Sequence, residues 1–182
     1  MISMAIAFAL LAANTSSNPD ASVFASDESL VFSCRFKSRK TVSISRSSAN
    51  NDDYTTFRYG SPGQPEITHH AKNNKKSDFY YAMLADMQAI FFEFGFVNDG
   101  SKYSLIRDWY EGVGEPSYLL RVVGMEPREG YGLQLRCADD IVDNGLTDQR
   151  SVRCDVDMKP GCDDEDNEKA GYPMKAPASA QH

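Results

Sequence analysis

From residue 30 onward, apolar and polar residues alternate in short runs separated by turn-forming residues. Leu30, Phe32, Cys34 and Phe36 fall on one side of an extended backbone, and Val31, Ser33, Arg35 and Lys37 fall on the other. Leu30–Lys37 therefore reads as a strand with one buried and one mostly wet face. Thr41–Arg46 alternates more cleanly, with Val42 and Ile44 inward, Ser43 and Ser45 outward, and Ser38-Arg39-Lys40 as the joining turn. Ser47–Asp53 is a polar loop of residues that bond their own backbone. Tyr54–Tyr59, rich in aromatic and β-branched residues, is a third strand that Gly60-Ser61-Pro62-Gly63 breaks.

The middle of the chain carries two periodicities at once. His69–Ser77 reads as a basic polar loop. In Asp78–Phe96, the residues Tyr80, Met83, Leu84, Met87, Ile90, Phe91 and Phe94 fall at helical spacing. Yet Ile90–Val97 is dense in strand formers and runs into Asn98-Asp99-Gly100, beyond which Lys102–Tyr110 is another such run. Two runs around an Asp-Gly turn predict a hairpin over Gln88–Tyr110, with Ser77–Asp86 as a loop or short helix. Glu111–Ser117 is then a Gly/Pro connection, Tyr118–Met125 and Tyr131–Cys137 are paired strands, Ala138–Gln149 is a long acidic loop, and Arg150–Val156 is the last strand. The fold class is mainly β: an antiparallel sandwich or barrel-like single domain, with room for one short helix.

The two ends of the chain read differently. Met1–Ala13 is an uncharged apolar run, too short to span a bilayer but of the length found in a signal peptide. Val23-Phe24-Ala25 offers a cleavage site, so residues 1–25 are expected to be a signal peptide, 26–157 the β domain and 158–182 a disordered acidic tail. Asp155–His182 holds seven Asp/Glu and three Lys/Arg, whereas Leu30–Tyr59 holds six Lys/Arg and two Asp, against a net charge of −7 for the whole chain. A periplasmic or secreted location follows, with no membrane span after cleavage. Cys34, Cys137, Cys154 and Cys162 fit no zinc pattern and read as two disulfides, which allows three pairings; Cys137–Cys154 is the first to expect, with Cys34–Cys162 beside it, and a rearranged pairing stays open.

Candidate chemistry is thin. Asp139–Gly145 has too few alternating oxygen ligands for an EF-hand, because Val142 takes one of those places. His69 and His70 are adjacent, so on an extended backbone they point to opposite faces. Glu66, Glu93, Asp108, Glu111 and Glu115 are carboxylates near structured positions, but no spacing pairs two of them across a cleft, and no GxSxG is present. No cofactor, metal or enzymatic activity is expected, and the low pI argues against nucleic acid despite the basic first strands. Those strands read instead as the solvated outer face of the sheet or as a surface that docks an acidic protein partner.

The order FSC (Phe32–Cys34), a basic turn, a SIS strand (Ser43–Ser45) and then YTTFRYGSPGQPEI (Tyr54–Ile67) resembles a group of small exported bacterial β-proteins. Members carry an FSC start, a strand ending in YRYG or YRFG, a Gly-Pro-Gly corner and a Glu two residues on; the resemblance covers about Leu30–Cys154. This chain departs from the group at Ser43 and Ser45, where many members place a second cysteine. The group is similar in build to periplasmic lysozyme inhibitors and toxin-immunity proteins. That resemblance implies a protein that binds and neutralises another exported protein, such as a peptidoglycan hydrolase or a toxin effector. Alternatives are an envelope-associated structural protein and an unrecognised hydrolase. Gly60–Glu66 and the loop near Gly112–Pro116, both stiffened by proline, are the candidate inserts, and Arg58, Tyr59, Glu66 and Glu115 the candidate contact residues.

Overall fold

A computed structural model describes residues 27–47, 53–85, 87–124 and 132–155. The expected signal peptide, acidic tail and Cys162 lie outside these residues. The described residues form one mixed sheet of ten strands, curled into a half-barrel around a single core. The first meander comprises β1 (Glu28–Phe36), β2 (Thr41–Ser47), β3 (Tyr54–Ser61) and β4 (Gln64–Lys72); the second comprises β5 (Tyr80–Ala85), β6 (Ala89–Asn98), β7 (Ser101–Tyr110), β8 (Ser117–Gly124) and β9 (Leu133–Asp143). Antiparallel pairing of β1 with β9 joins them, and the two-residue β10 (Arg153–Cys154) lies parallel to β5. A single curled sheet therefore takes the place of the expected sandwich, while the barrel-like alternative and the mainly β class hold.

The alternation explains why the sheet curls around one core. Phe32, Cys34 and Phe36 from β1, Val42 and Ile44 from β2, Phe57 and Tyr59 from β3, and Phe92, Phe94 and Phe96 from β6 all point inward and are buried. Burying a side chain of this size contributes about 1.5–3 kcal/mol, and the rings add edge and stacked contacts, such as Phe57 against Phe96 at 5.0 Å and Phe96 against Tyr103 at 5.0 Å. The predicted hairpin forms with Asp99 and Gly100 both at positive φ (47° and 70°), as a two-residue primed turn requires. At the β1–β2 turn, Phe36 O accepts from Arg39 N, and Arg39 itself sits at φ 67°.

Four expectations about the elements are corrected. His69–Lys72 is not loop but the end of β4, an edge strand whose outward residues are polar because they face water. Ser77–Asp86 is neither loop nor helix over its second half, since Tyr80–Ala85 is β5. The acidic segment after Cys137 stays in β9 through Asp143 before a 3-10 turn at Leu146–Asp148, because β8 and β1 pair with it on either side. The last strand shortens to β10. Ser43 and Ser45 do point outward, but they are fully buried there.

The disulfide pairing also changes. Cys34 bonds Cys137 with their Cα atoms 5.7 Å apart, which rules out Cys137–Cys154. The reason is register: β9 returns beside β1, with Phe36 opposite Cys137, whereas Cys154 is carried to β5 on the far edge of the sheet. Cys154 is disulfide-bonded too, to a partner outside the described residues.

His69 and His70 point to opposite faces, as extended backbone demands. His69 turns inward and stacks on Phe96 at 4.1 Å; its Nε2 is buried without a hydrogen-bond partner among the described residues. Burial holds its imidazole below the usual range, against the charge of Asp78 and with help from His70. A base whose folded value is depressed takes up more protons when unfolded. Stability should therefore fall as pH drops below the unfolded value of 6.5 and level off below the folded one. In urea titrations from about pH 8 to about pH 5, this fall should be absent from His69→Phe; an unchanged fall would show that another group causes it.

Candidate functional site

Most charged groups are already spoken for. On the outer face, Glu28 takes two hydrogen bonds of 2.8 Å from the Arg58 guanidinium and one of 2.8 Å from Ser45 Oγ. Thr56 Oγ1 bonds Glu28 at 3.2 Å and His70 Nδ1 at 2.8 Å, and His70 stacks on Tyr54. This cluster is what buries Ser45 and Thr56. Arg46 pairs with Asp53, Arg35 with Asp140 and Lys40 with Glu66; pairing raises the Arg46 guanidinium and lowers the Asp53 carboxyl, each chiefly through their shared hydrogen bond. Four of the six basic residues of the first strands are thus paired within the chain, with Lys37 and Arg39 left exposed, which weakens the charge argument for an acidic partner there.

A second cluster surrounds Glu93 on β6. Its carboxylate, at 0% exposure, accepts from Tyr80 Oη at 3.0 Å, Ser104 Oγ at 2.7 Å and Arg121 Nη2 at 2.9 Å, with Lys102 Nζ at 3.4 Å. Lys102 also bonds Asp155 at 3.0 Å, tying the end of the described chain to the sheet. Gly95 makes this possible: a Cβ there would collide with the Tyr80 hydroxyl and with the Tyr103 carbonyl. Burial, then the Glu93 charge, drives the Tyr80 hydroxyl far above the ordinary phenol range. On the inner side, Asp143 accepts from Tyr118 Oη at 2.7 Å with Arg107 at 3.6 Å; burial and that hydrogen bond push Tyr118 up to about 12. Asp143 Oδ1 also takes the Gly145 and Leu146 amides, so the acidic segment once weighed for calcium uses this carboxylate to build its own turn.

The four residues singled out as partner contacts do not share a surface. Arg58 is locked onto Glu28, Tyr59 points into the core beside Phe36, and Glu66 is tied to Lys40. The two proline-stiffened loops lie at opposite ends of the sheet, because Gly60–Glu66 spans the β3–β4 turn and Gly112–Pro116 the β7–β8 turn. Glu115 alone sits exposed on a loop tip.

That second end carries an exposed apolar group. Met87, in the β5–β6 turn, is 95% exposed, Val113 71%, Tyr110 55% and Leu84 44%. Register brings these turns together: Ala89 lies opposite Tyr110, and Glu111 N donates to Gln88 O at 2.7 Å. The β7–β8 loop is fixed from within. Trp109 Nε1 donates to Gly114 O at 2.9 Å, Val113 N donates to Tyr110 O at 3.2 Å, and Gly112 and Gly114 take φ of 79° and 90°. Val113 is therefore held outward between two glycines in conformations that a side chain would resist. Around this tip stand Glu111 and Glu115, exposed, and Asp108, whose carboxyl burial raises against the pull of Arg136 and Arg121.

The sequence pointed to this loop through its Gly and Pro residues. Met87 was hidden because it also fits the helical spacing of Tyr80–Phe94. Comparison with protein-family models, with curated proteins and with solved structures gives no match for this chain.

Proposed function

We propose that this is an exported binding protein that neutralises another exported protein, acting through the Met87–Tyr110–Val113 tip. The observation that carries the reading is a preorganised loop presenting Tyr110 and Val113 to solvent beside a second turn that presents Met87. Apolar side chains grouped on the surface, rather than scattered singly, mark interaction sites, and a loop fixed in advance loses little entropy on docking. Aromatic and methionine side chains at the centre with a polar rim match the usual anatomy of protein interfaces. The rim here is acidic, as is the whole chain, so the matching surface is an apolar pocket with basic residues around it. An enzyme that works on the anionic cell wall needs such basic surface, which favours a peptidoglycan hydrolase or a wall-targeting effector as the partner. The resemblance to small exported β-proteins and the Cys34–Cys137 disulfide fit an oxidising compartment.

The test is inhibition of purified peptidoglycan hydrolases and wall-targeting effectors by the oxidised protein. Stoichiometric loss of one enzyme's activity, relieved by Val113→Asp or Met87→Asp, is the expected result. Each substitution should weaken binding by about 2 kcal/mol, roughly thirtyfold, as for a central interface residue. An envelope-associated structural role would instead leave every enzyme fully active.

A further inference from the structure

We propose that β4 is the contact edge of a homodimer in which two copies of Gln64–Lys72 pair antiparallel about Thr68. The sheet has two edges of very different kind. β10 is two residues long, a length that blunts an edge, whereas β4 runs for nine residues. Long edges invite pairing unless charge, proline or a bulge protects them. The protection here lies at the ends, with Pro65 at one and Lys72 at the other, and leaves Glu66–His70 between them.

That segment is complementary to itself. With Thr68 opposite its symmetry mate, Glu66 lies opposite His70 of the second copy, His70 opposite Glu66, and Ile67 opposite His69. In β4 the burial alternates, with Glu66, Thr68 and His70 exposed and Ile67 and His69 half-buried. An antiparallel pair keeps directly opposed residues on the same face, so each Glu66, whose Oε2 holds Lys40 at 2.8 Å within its own copy, turns Oε1 to an imidazole of the other, and Thr68 meets Thr68. Polar and Thr–Thr pairs are among the cross-strand combinations that stabilise a sheet. Nδ1 of His70 is engaged by Thr56, which leaves Nε2 for the carboxylate of the second copy. A two-fold axis through Thr68 satisfies the whole segment at once and closes the assembly at two. Shifting the register by one residue in each direction loses both Glu66–His70 pairs. The interface is separate from the Val113 tip, so it stands whether or not that tip binds an enzyme.

Sedimentation velocity of the purified protein over a wide concentration range tests this. The wild type should move from monomer toward dimer as concentration rises. Glu66→Lys, which removes both carboxylate–imidazole contacts, and His70→Glu, which places carboxylates opposite one another twice, should weaken association about tenfold or more with melting curves that still report a folded chain. Mixing the two variants restores opposite charges across the pair and should restore the dimer between them. A wild type that stays monomeric overturns the proposal. So does a dimer that neither substitution weakens, or a mixture that associates no better than its components.

Discussion

Replacing Cys34 and Cys137 together by alanine should lower the unfolding free energy by about 4 kcal/mol. The bond closes a loop of 103 residues, and loop-closure entropy removed from the unfolded chain grows with loop length. Its position matters as much as its length. β1–β9 is the seam through which the two meanders become one sheet, and that pairing is itself irregular, with register shifts on either side of Arg35. The covalent link therefore stands where the backbone ladder is least continuous. Cys34 is buried among Phe32, Phe36 and Val42, so alanine there also leaves a small void. Urea denaturation of the double variant against the oxidised wild type measures the loss. A change below about 1 kcal/mol would mean that the seam holds without the bond.

Replacing Glu93 by alanine should be nearly as costly, about 3 kcal/mol. The figure is set by what remains rather than by what is removed: Arg121 and Lys102, each about one-third exposed, keep their charges beside the vacated site, and the Tyr80 and Ser104 hydroxyls lose their acceptor. Partial exposure of the two cations tempers the cost of a fully buried broken pair. Glu93→Gln keeps an acceptor in place and should recover part of the loss, whereas Glu93→Leu tests whether an apolar side chain of similar size does as well. If alanine is tolerated within about 0.5 kcal/mol, water must enter and replace the carboxylate.

How much of this was legible follows from which physical rule each segment obeys. β2, β3 and the β6–β7 hairpin alternate around turn residues, as does β1 from Phe32 onward, so their inward side chains could be read directly; a bulge between Leu30 and Phe32 brings Val31, read as wet, into the core. β4 was missed because its exposed face is polar and its inward face includes His69, a residue that reads as loop. β5 was obscured because Tyr80, Met83, Leu84 and Met87 satisfy a helical period as well as a strand. Local sequence marked the last strand within Arg150–Val156 but not its partner, because β10 lies parallel to β5, about seventy residues earlier in the chain. The disulfide was misassigned for the same reason: the β1–β9 contact is long-range, and no local pattern specifies it. The outer-face clusters hid behind ordinary charged residues, since nothing near Glu28 or Glu93 in sequence signals that Arg58 or Arg121 will arrive across the sheet.

The same distinction governs the candidate site. The glycines and proline of Gly112–Pro116 marked a stiff loop, but its meeting with Met87 depends on the β6–β7 register. The expected contact residues Arg58 and Tyr59 were drawn from a strand motif, and strand alternation sends one to an ion pair and the other to the core. Glu115 was placed on the loop that the structure leaves exposed.

The most direct measurement is the affinity of the hydrolase or effector proposed as partner for the wild type and for Val113→Asp, by calorimetric titration at low and at high salt. The tip reading predicts that the substitution weakens binding roughly thirtyfold without moving the melting temperature. It also predicts that wild-type affinity falls as salt rises, because acidic residues surround the apolar centre. Equal affinity for the two proteins, with the same salt response, would contradict it and place the contact elsewhere on the sheet.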